Sequence, residues 1–139
     1  MTANVRRLQP LRIVVSGHDR RFVRVTSFLL GRRGYDIRDA RADDVVDAAE
    51  RHRADVVVLE LAGASRVTAG RAMTALQASD VSPAVLLVCE GADGRWNGFP
   101  VVEKWTPIER LVDAIEAAAL HRIPPTHAAR EAGHGLQSL

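Results

Sequence analysis

The chain is predicted to fold as an α/β domain: a five-stranded parallel sheet in the order 2-1-3-4-5, with helices on both faces. Three observations predict it. Apolar runs without alternation, LRIVVS, ADVVVL and PAVLLVC, recur along the chain, and short β-branched runs of this kind are strands buried on both faces of a sheet. Segments with apolar residues at helical spacing separate them. Strands alternating with helices require parallel pairing through right-handed crossovers, and 2-1-3-4-5 is the natural order for five strands.

The elements follow in order. Residues 1–10 are polar, end in Pro10 and read as a loose arm. Leu11–Ser16 is the first buried strand and stops at Gly17-His18. Asp19 has the character of a helix N-cap, because its carboxylate can accept the free N–H groups of a first turn. Phe22, Val25, Thr26, Leu29 and Leu30 then form an amphipathic stripe, and Gly34 supplies a left-handed cap. Tyr35–Arg38 alternates and reads as a short strand near a sheet edge. Ala42–Arg53 carries acids early and bases late, which complements the helix dipole.

The run Ala54–Ser65, ADVVVLELAGAS, is the third strand and the centre of the chain. Four apolar residues deliver Glu60 to the carboxyl end of the sheet, where open α/β sheets bind ligands. Ser65–Ser79 has helical spacing at Ala69, Ala72, Met73 and Leu76, with Met73 as core filler. Pro83–Cys89 is a fourth buried strand. Glu90–Gly98 holds three glycines and little periodicity, so it reads as a loop with at most one helical turn. Phe99–Glu103 is a fifth strand. Thr106-Pro107-Ile108-Glu109 starts a helix with a Thr cap, Pro at the first helical position and Glu two residues on. The domain is expected to span residues 11–121. The segment 122–139, with few large apolar residues, is expected to be disordered.

Composition narrows the function. The chain has 139 residues, 47% of them hydrophobic, and a net charge of +2. No apolar run approaches the roughly 20 residues of a membrane span, and no secretory pattern opens the chain, so a cytoplasmic location is expected. The single cysteine, Cys89, excludes an internal disulfide and a cysteine-based zinc site, and reads as a buried, inert thiol. The arginines are scattered, without the basic stripe of a nucleic-acid binder. No phosphate-cradling glycine motif and no nucleophile–base pattern is present. No metal, no cofactor and no enzymatic activity are expected.

The ends of strands 1, 3, 4 and 5 converge, and two opposite charges meet there. Lys104 is the only lysine among 19 basic residues. An ammonium is a compact point charge where a guanidinium is a broad fork, so a site wanting one positive charge beside Glu60 selects Lys. Between Leu11 and His121 the segments RIVVSGHD, GYDI, ADVVVLELAG, SPAVLLVC and VVEKWTPIERLVDAI resemble, in order and spacing, the receiver domain of bacterial two-component response regulators, whose fold is the flavodoxin-like, CheY-like one.

The resemblance implies a phosphorylation pocket, and the residues here depart from it. The family's acidic, Mg²⁺-binding pair falls on Gly17 and His18, neither of which suits an ion that prefers oxygen. Asp19 is one residue out of phase and is expected to point elsewhere. The phosphoryl-accepting Asp is Glu60, whose extra methylene moves the carboxylate by about 1.5 Å. A misplacement of about 1 Å already costs about a hundredfold. The Thr or Ser position is Val88, the aromatic position is Val101, and the Pro after the family's lysine is Trp105. The span from Cys89 to Val101 is too short for the usual fourth helix, which is expected to be shortened or missing.

Joint loss of metal ligands, acceptor and sensor residues implies an atypical, pseudo-receiver type: a stand-alone module acting in signal transduction through phosphorylation-independent protein contacts. Its expected partner is a regulator, a kinase, a transcription factor or a second copy as a homodimer, with no direct nucleic acid and no membrane. Trp96, Val101, Trp105 and Leu111 are the expected interface. Two alternatives stay open. One is a small molecule or ion gating the degenerate pocket at Gly17, His18, Glu60, Val88 and Lys104. The other is residual phosphoryl acceptance at Glu60.

Overall fold

A computed structural model describes residues 9–61, 66–91, 94–96 and 98–122. Strands β1 (Arg12–Ser16), β2 (Asp36–Ala40), β3 (Val56–Leu61), β4 (Ala84–Cys89), β5 (Gly94–Trp96) and β6 (Phe99–Glu103) form one sheet in the order β2-β1-β3-β4-β6-β5. Four helices are described: α1 (Arg20–Arg32), α2 (Val45–His52), α3 (Arg66–Ala78) and α4 (Ile108–Leu120), with a single 3-10 turn, Ala42–Asp44, leading into α2. Every pairing from β2 to β6 is parallel, and only β5 runs antiparallel to β6. The predicted parallel core and strand order are therefore present. The loop reading of Glu90–Gly98 is not: part of this segment forms β5, a three-residue edge strand hairpinned onto β6.

The helices sort onto the two faces by the alternation of the strands. Val14, Val57, Leu59, Leu61, Val85 and Leu87 pack against α2 and α3. Ile13, Val15, Val56, Val58, Leu86 and Val88 pack against Phe22, Val23 and Leu30 of α1 and Leu111 and Ile115 of α4. A strand buried on both faces carries side chains of the same kind toward each, which is why its sequence lacks alternation. Among the described residues no helix stands between β4 and β6. Trp96 and Phe99 of the β5–β6 hairpin instead pack against the edge of the α2/α3 face.

The helix ends show what local chemistry decides. Asp19 caps α1 as its sequence implies, its Oδ1 accepting from the N–H groups of Arg21 at 3.0 Å and Phe22 at 3.2 Å. Gly34, just past α1, has φ +95°, a conformation costly for any residue with a Cβ. The predicted Thr106 cap does not form. The cap of α4 is Pro107, which makes no side-chain cap bond, while the Thr106 N–H donates to the Glu103 carbonyl in a tight turn.

Arg122, the first residue of the predicted tail, is anchored. It pairs with Asp55 and donates to the carbonyls of Val81 and Ser82, tying the end of α4 to the amino ends of β3 and β4. The arm over residues 1–8, the loop over 62–65 and the tail over 123–139 lie outside the described residues.

Candidate functional site

The carboxyl ends of β1, β3, β4 and β6 meet at one point because the sheet order brings all four side by side. Glu60 lies in register with Val88 of β4. The strand alternation turns it to the α1/α4 face, like Val58 before it. Its side chain is 2% exposed. A carboxylate so buried is strongly destabilised unless paired and hydrogen-bonded, and here it is both. Oε2 accepts from Lys104 Nζ at 2.7 Å, and Oε1 accepts from the Asp19 backbone N–H at 3.0 Å.

Lys104 stands at the turn after β6, its backbone N–H donating to the Cys89 carbonyl at 3.0 Å. Its Nζ also donates to Asp19 Oδ2 at 2.8 Å. It lies 5.7 Å from the centre of the Phe22 ring. One ammonium thus joins two carboxylates across 85 residues of sequence. The next residue, Trp105, has φ +67°. That conformation is unfavourable for a bulky side chain, and it lets the chain turn so that Lys104 faces inward while the indole meets the Phe22 ring edge-on at 5.3 Å.

Gly17 completes the arrangement. It is buried, and a Cβ built there would overlap the Glu60 carboxylate and lie 2.6 Å from the Glu60 Cβ. The glycine is needed for space, since the longer Glu60 side chain occupies the volume a side chain at position 17 would take. Glycine and glutamate form a matched pair across β1 and β3.

The sequence-predicted pocket residues therefore separate into two groups. Gly17, Glu60, Val88 and Lys104 come together, with Val88 1% exposed as an apolar wall. His18 does not join them. It is exposed, because the chain turns outward between β1 and α1. Asp19 takes the place expected of His18. The expectation that Asp19 points elsewhere fails because a carboxylate has two oxygens: one caps α1 and the other reaches Lys104. Among the expected interface residues only Trp105 is well exposed, at 50%. Val101 and Leu111 are 6% and 5% exposed and belong to the two cores, which removes them as surface contacts. Trp96 is half-buried against the core, where it covers an edge that no helix shields.

The charges reinforce one another. The hydrogen bond from Lys104, and then those from the Phe22 and Arg21 N–H groups, hold the Asp19 carboxyl below its ordinary value of 3.8. Burial works against the Lys104 charge, but hydrogen bonds to Asp19 and Glu60 outweigh it and raise its pKa above 10.5. The Asp19 contribution to stability is complete above its unfolded pKa and is lost as pH falls through the lower folded value. The Lys104 contribution is complete below 10.5 and is lost as pH rises through the higher folded value. Accordingly, the melting-temperature difference between the natural chain and Asp19→Asn, which keeps the cap, should stay level between about pH 5 and pH 9 and shrink below about pH 4. A difference that grows on acidification would contradict this. Among the described residues no group of three or more His, Cys, Asp or Glu side chains is arranged to hold a metal ion. No described helix is long and apolar enough to cross a membrane.

Comparison with known proteins agrees on the fold. No protein-family model matches the sequence, and no curated protein matches it. Solved structures do. A protein from Burkholderia pseudomallei provisionally assigned to pilus assembly superposes with a TM-score of 0.69 at 19% identity, covering 88% of this chain and 99% of that one. A response regulator receiver protein from Sinorhizobium medicae gives 0.67 at 11% identity, covering 83% and 98%. The structure described as FixJ-N gives 0.66 at 16% identity, covering 84% and 98%. At these identities the likeness establishes the architecture, and the chain has the fold of response-regulator receiver domains.

Proposed function

We propose that this chain is a receiver-fold signalling module that acts through protein contacts without being phosphorylated. The observation that carries the reading is the Glu60 carboxylate, held between Lys104 Nζ at 2.7 Å and the Asp19 N–H at 3.0 Å, in space that Gly17 leaves open. In a phosphorylated receiver an added negative group at the end of this strand pairs with the lysine. Here a permanent carboxylate already does so. Phosphoryl transfer depends on positioning and on charge stabilisation by a metal. A nucleophile with both oxygens engaged, no acidic pair at positions 17 and 18, and Val88 in place of a hydroxyl supplies neither. The same packing weighs against a small molecule or ion in the old pocket, since Glu60 and Lys104 fill it.

The contact surface follows from what is left uncovered. Phe28, Val25 and Leu29 of α1 are 62%, 39% and 37% exposed, and Trp105 is 50% exposed. Val25, Leu29, Trp105 and Ile108 wall a narrow cleft of about 50 Å³ between α1 and α4. Apolar side chains clustered at the surface mark interaction sites, and aromatic residues dominate interface energies. The expected interface thus moves from Trp96, Val101 and Leu111 to the α1 face, with Trp105 common to both. Arg32 lies over the Phe28 ring at 5.8 Å, and α1 carries Arg21 and Arg24 and no acid, so a partner surface with acidic groups fits the Phe28 side of α1, while Glu103 lines the cleft beside Trp105.

Affinity capture from cells that make the protein tests both halves. Partners held by the natural chain should be retained whether or not acetyl phosphate and Mg²⁺ are present. They should be reduced about tenfold or more by Phe28→Ser, a position 62% exposed and outside both core clusters, where the change should alter stability by less than about 0.5 kcal/mol. Capture that requires the phosphoryl donor would defeat the reading, and capture indifferent to Phe28→Ser would defeat the surface.

A further inference from the structure

A second cavity lies at the opposite end of the sheet from Glu60. It has a volume of about 470 Å³ and opens between the end of α3, the start of β4, the β5–β6 hairpin and the last turns of α4. It exists because a hairpin stands where a helix would follow β4. The hairpin contributes Phe99 and Pro100 to one wall, and Ala114, Ala117 and Ala118 form the other. A row of alanines keeps that side of α4 low and leaves the groove open.

The groove is apolar in its walls and carries arginine at its rim. Arg95, His121 and Arg122 line it, and among the described residues no carboxylate lines it. Arg122 is committed to Asp55 and to the carbonyls of Val81 and Ser82, so it shapes the floor. Arg95 is exposed, and its Nη1 donates to the Gly98 carbonyl at 2.7 Å. The His121 ring is fixed by its Nδ1, 2.8 Å from the Ala117 carbonyl, an acceptor that requires the proton on that nitrogen.

Small-molecule sites are concave spaces of roughly 300–1,000 Å³, mostly apolar, with a few placed polar groups. We infer that this groove is a ligand site for an amphiphilic anion, a molecule with an apolar body and one carboxylate or sulfonate head, seated with its body between Phe99 and the α4 alanines and its head at Arg95. The site is separate from the Glu60–Lys104 cluster and does not depend on how that cluster is read.

The test uses the full chain with anilinonaphthalene sulfonate as a fluorescent probe, then displaces it with decanoate or with decanol. One probe per chain should bind saturably, and decanoate should displace it about tenfold better than the neutral alcohol, which lacks the charge that Arg95 recognises. Ala117→Phe, at an exposed position of α4, should fill the groove and weaken probe binding at least about tenfold. Arg95→Glu should weaken it about threefold to fivefold, as befits a solvent-screened charge. Circular dichroism and melting confirm that both variants remain folded. Absence of saturable binding would overturn the inference. So would equal displacement by decanol, or binding that neither variant changes, which would place the probe on the apolar face of α1. A second copy of the chain in the groove would appear as self-association abolished by Ala117→Phe, and would equally overturn it.

Discussion

Replacing Gly17 with alanine should lower the unfolding free energy by about 3 kcal/mol, a large effect for one methyl group. Extra volume in a packed site usually costs about 1–3 kcal/mol. Here the atoms that must give way belong to a buried, ion-paired carboxylate, so the ion pair is disturbed as well. The backbone is not the cause, because Gly17 is absent from the positive-φ glycines and alanine can adopt its conformation. The Glu60 Cβ lies in the way as well, so the cost should vanish only when the whole Glu60 side chain is removed. In the Glu60→Gly background, which removes the Cβ as well as the carboxylate, Gly17→Ala should cost less than about 1 kcal/mol, giving a coupling energy near the upper end of those seen for residues in contact. Urea denaturation of the four chains measures it. An undiminished cost in the double variant would mean that glycine is needed for another reason, and the matched-pair account would fall.

Lys104→Met should be at least as damaging. Removing one partner of a buried salt bridge leaves an uncompensated charge and costs about 3–5 kcal/mol. Met keeps the length of the stem and its contact with Phe22, so the loss isolates the charge. Adding Glu60→Gln should recover most of it. The introduced amide oxygen can still accept from the Asp19 N–H, and no buried charge then lacks a partner. Asp19 is 36% exposed on its side chain and can be solvated without Lys104. Failure of Glu60→Gln to rescue would show that Lys104 acts through packing alone.

The parts of this account that the sequence made legible are those with periodic or compositional signals. Unbroken apolar runs located β1, β3 and β4, and helical spacing located α1 to α4, because burial selects residue types over several turns or strand repeats. Lys104 was legible because it is the one lysine in an arginine-rich chain.

What escaped notice lacks such a signal. Strand β5 spans three residues, too few to show alternation, and its glycines suggested a loop. Asp19 was recognisable as a cap, but that its second oxygen meets Lys104 depends on a contact 85 residues away. The Gly17–Glu60 interlock is a question of volume between neighbouring strands, which no local pattern records. The burial of Val101 and Leu111 is not legible in the sequence, because apolar residues read alike whether they face a partner or the core.

If the pocket is filled by its own carboxylate, a mimic of the phosphoryl group finds no room beside Lys104. Trp105, adjacent to Lys104 and packed on Phe22, reports on the pocket by its fluorescence. The chain is titrated with beryllofluoride, a mimic of the phosphoryl group, in millimolar Mg²⁺. With Glu60 already paired to Lys104, the emission should show no saturable change. A saturable, Mg²⁺-dependent response would contradict the account: the pocket would still accept a phosphoryl group, with Asp19 its metal ligand, and the chain would be a phosphorylation switch.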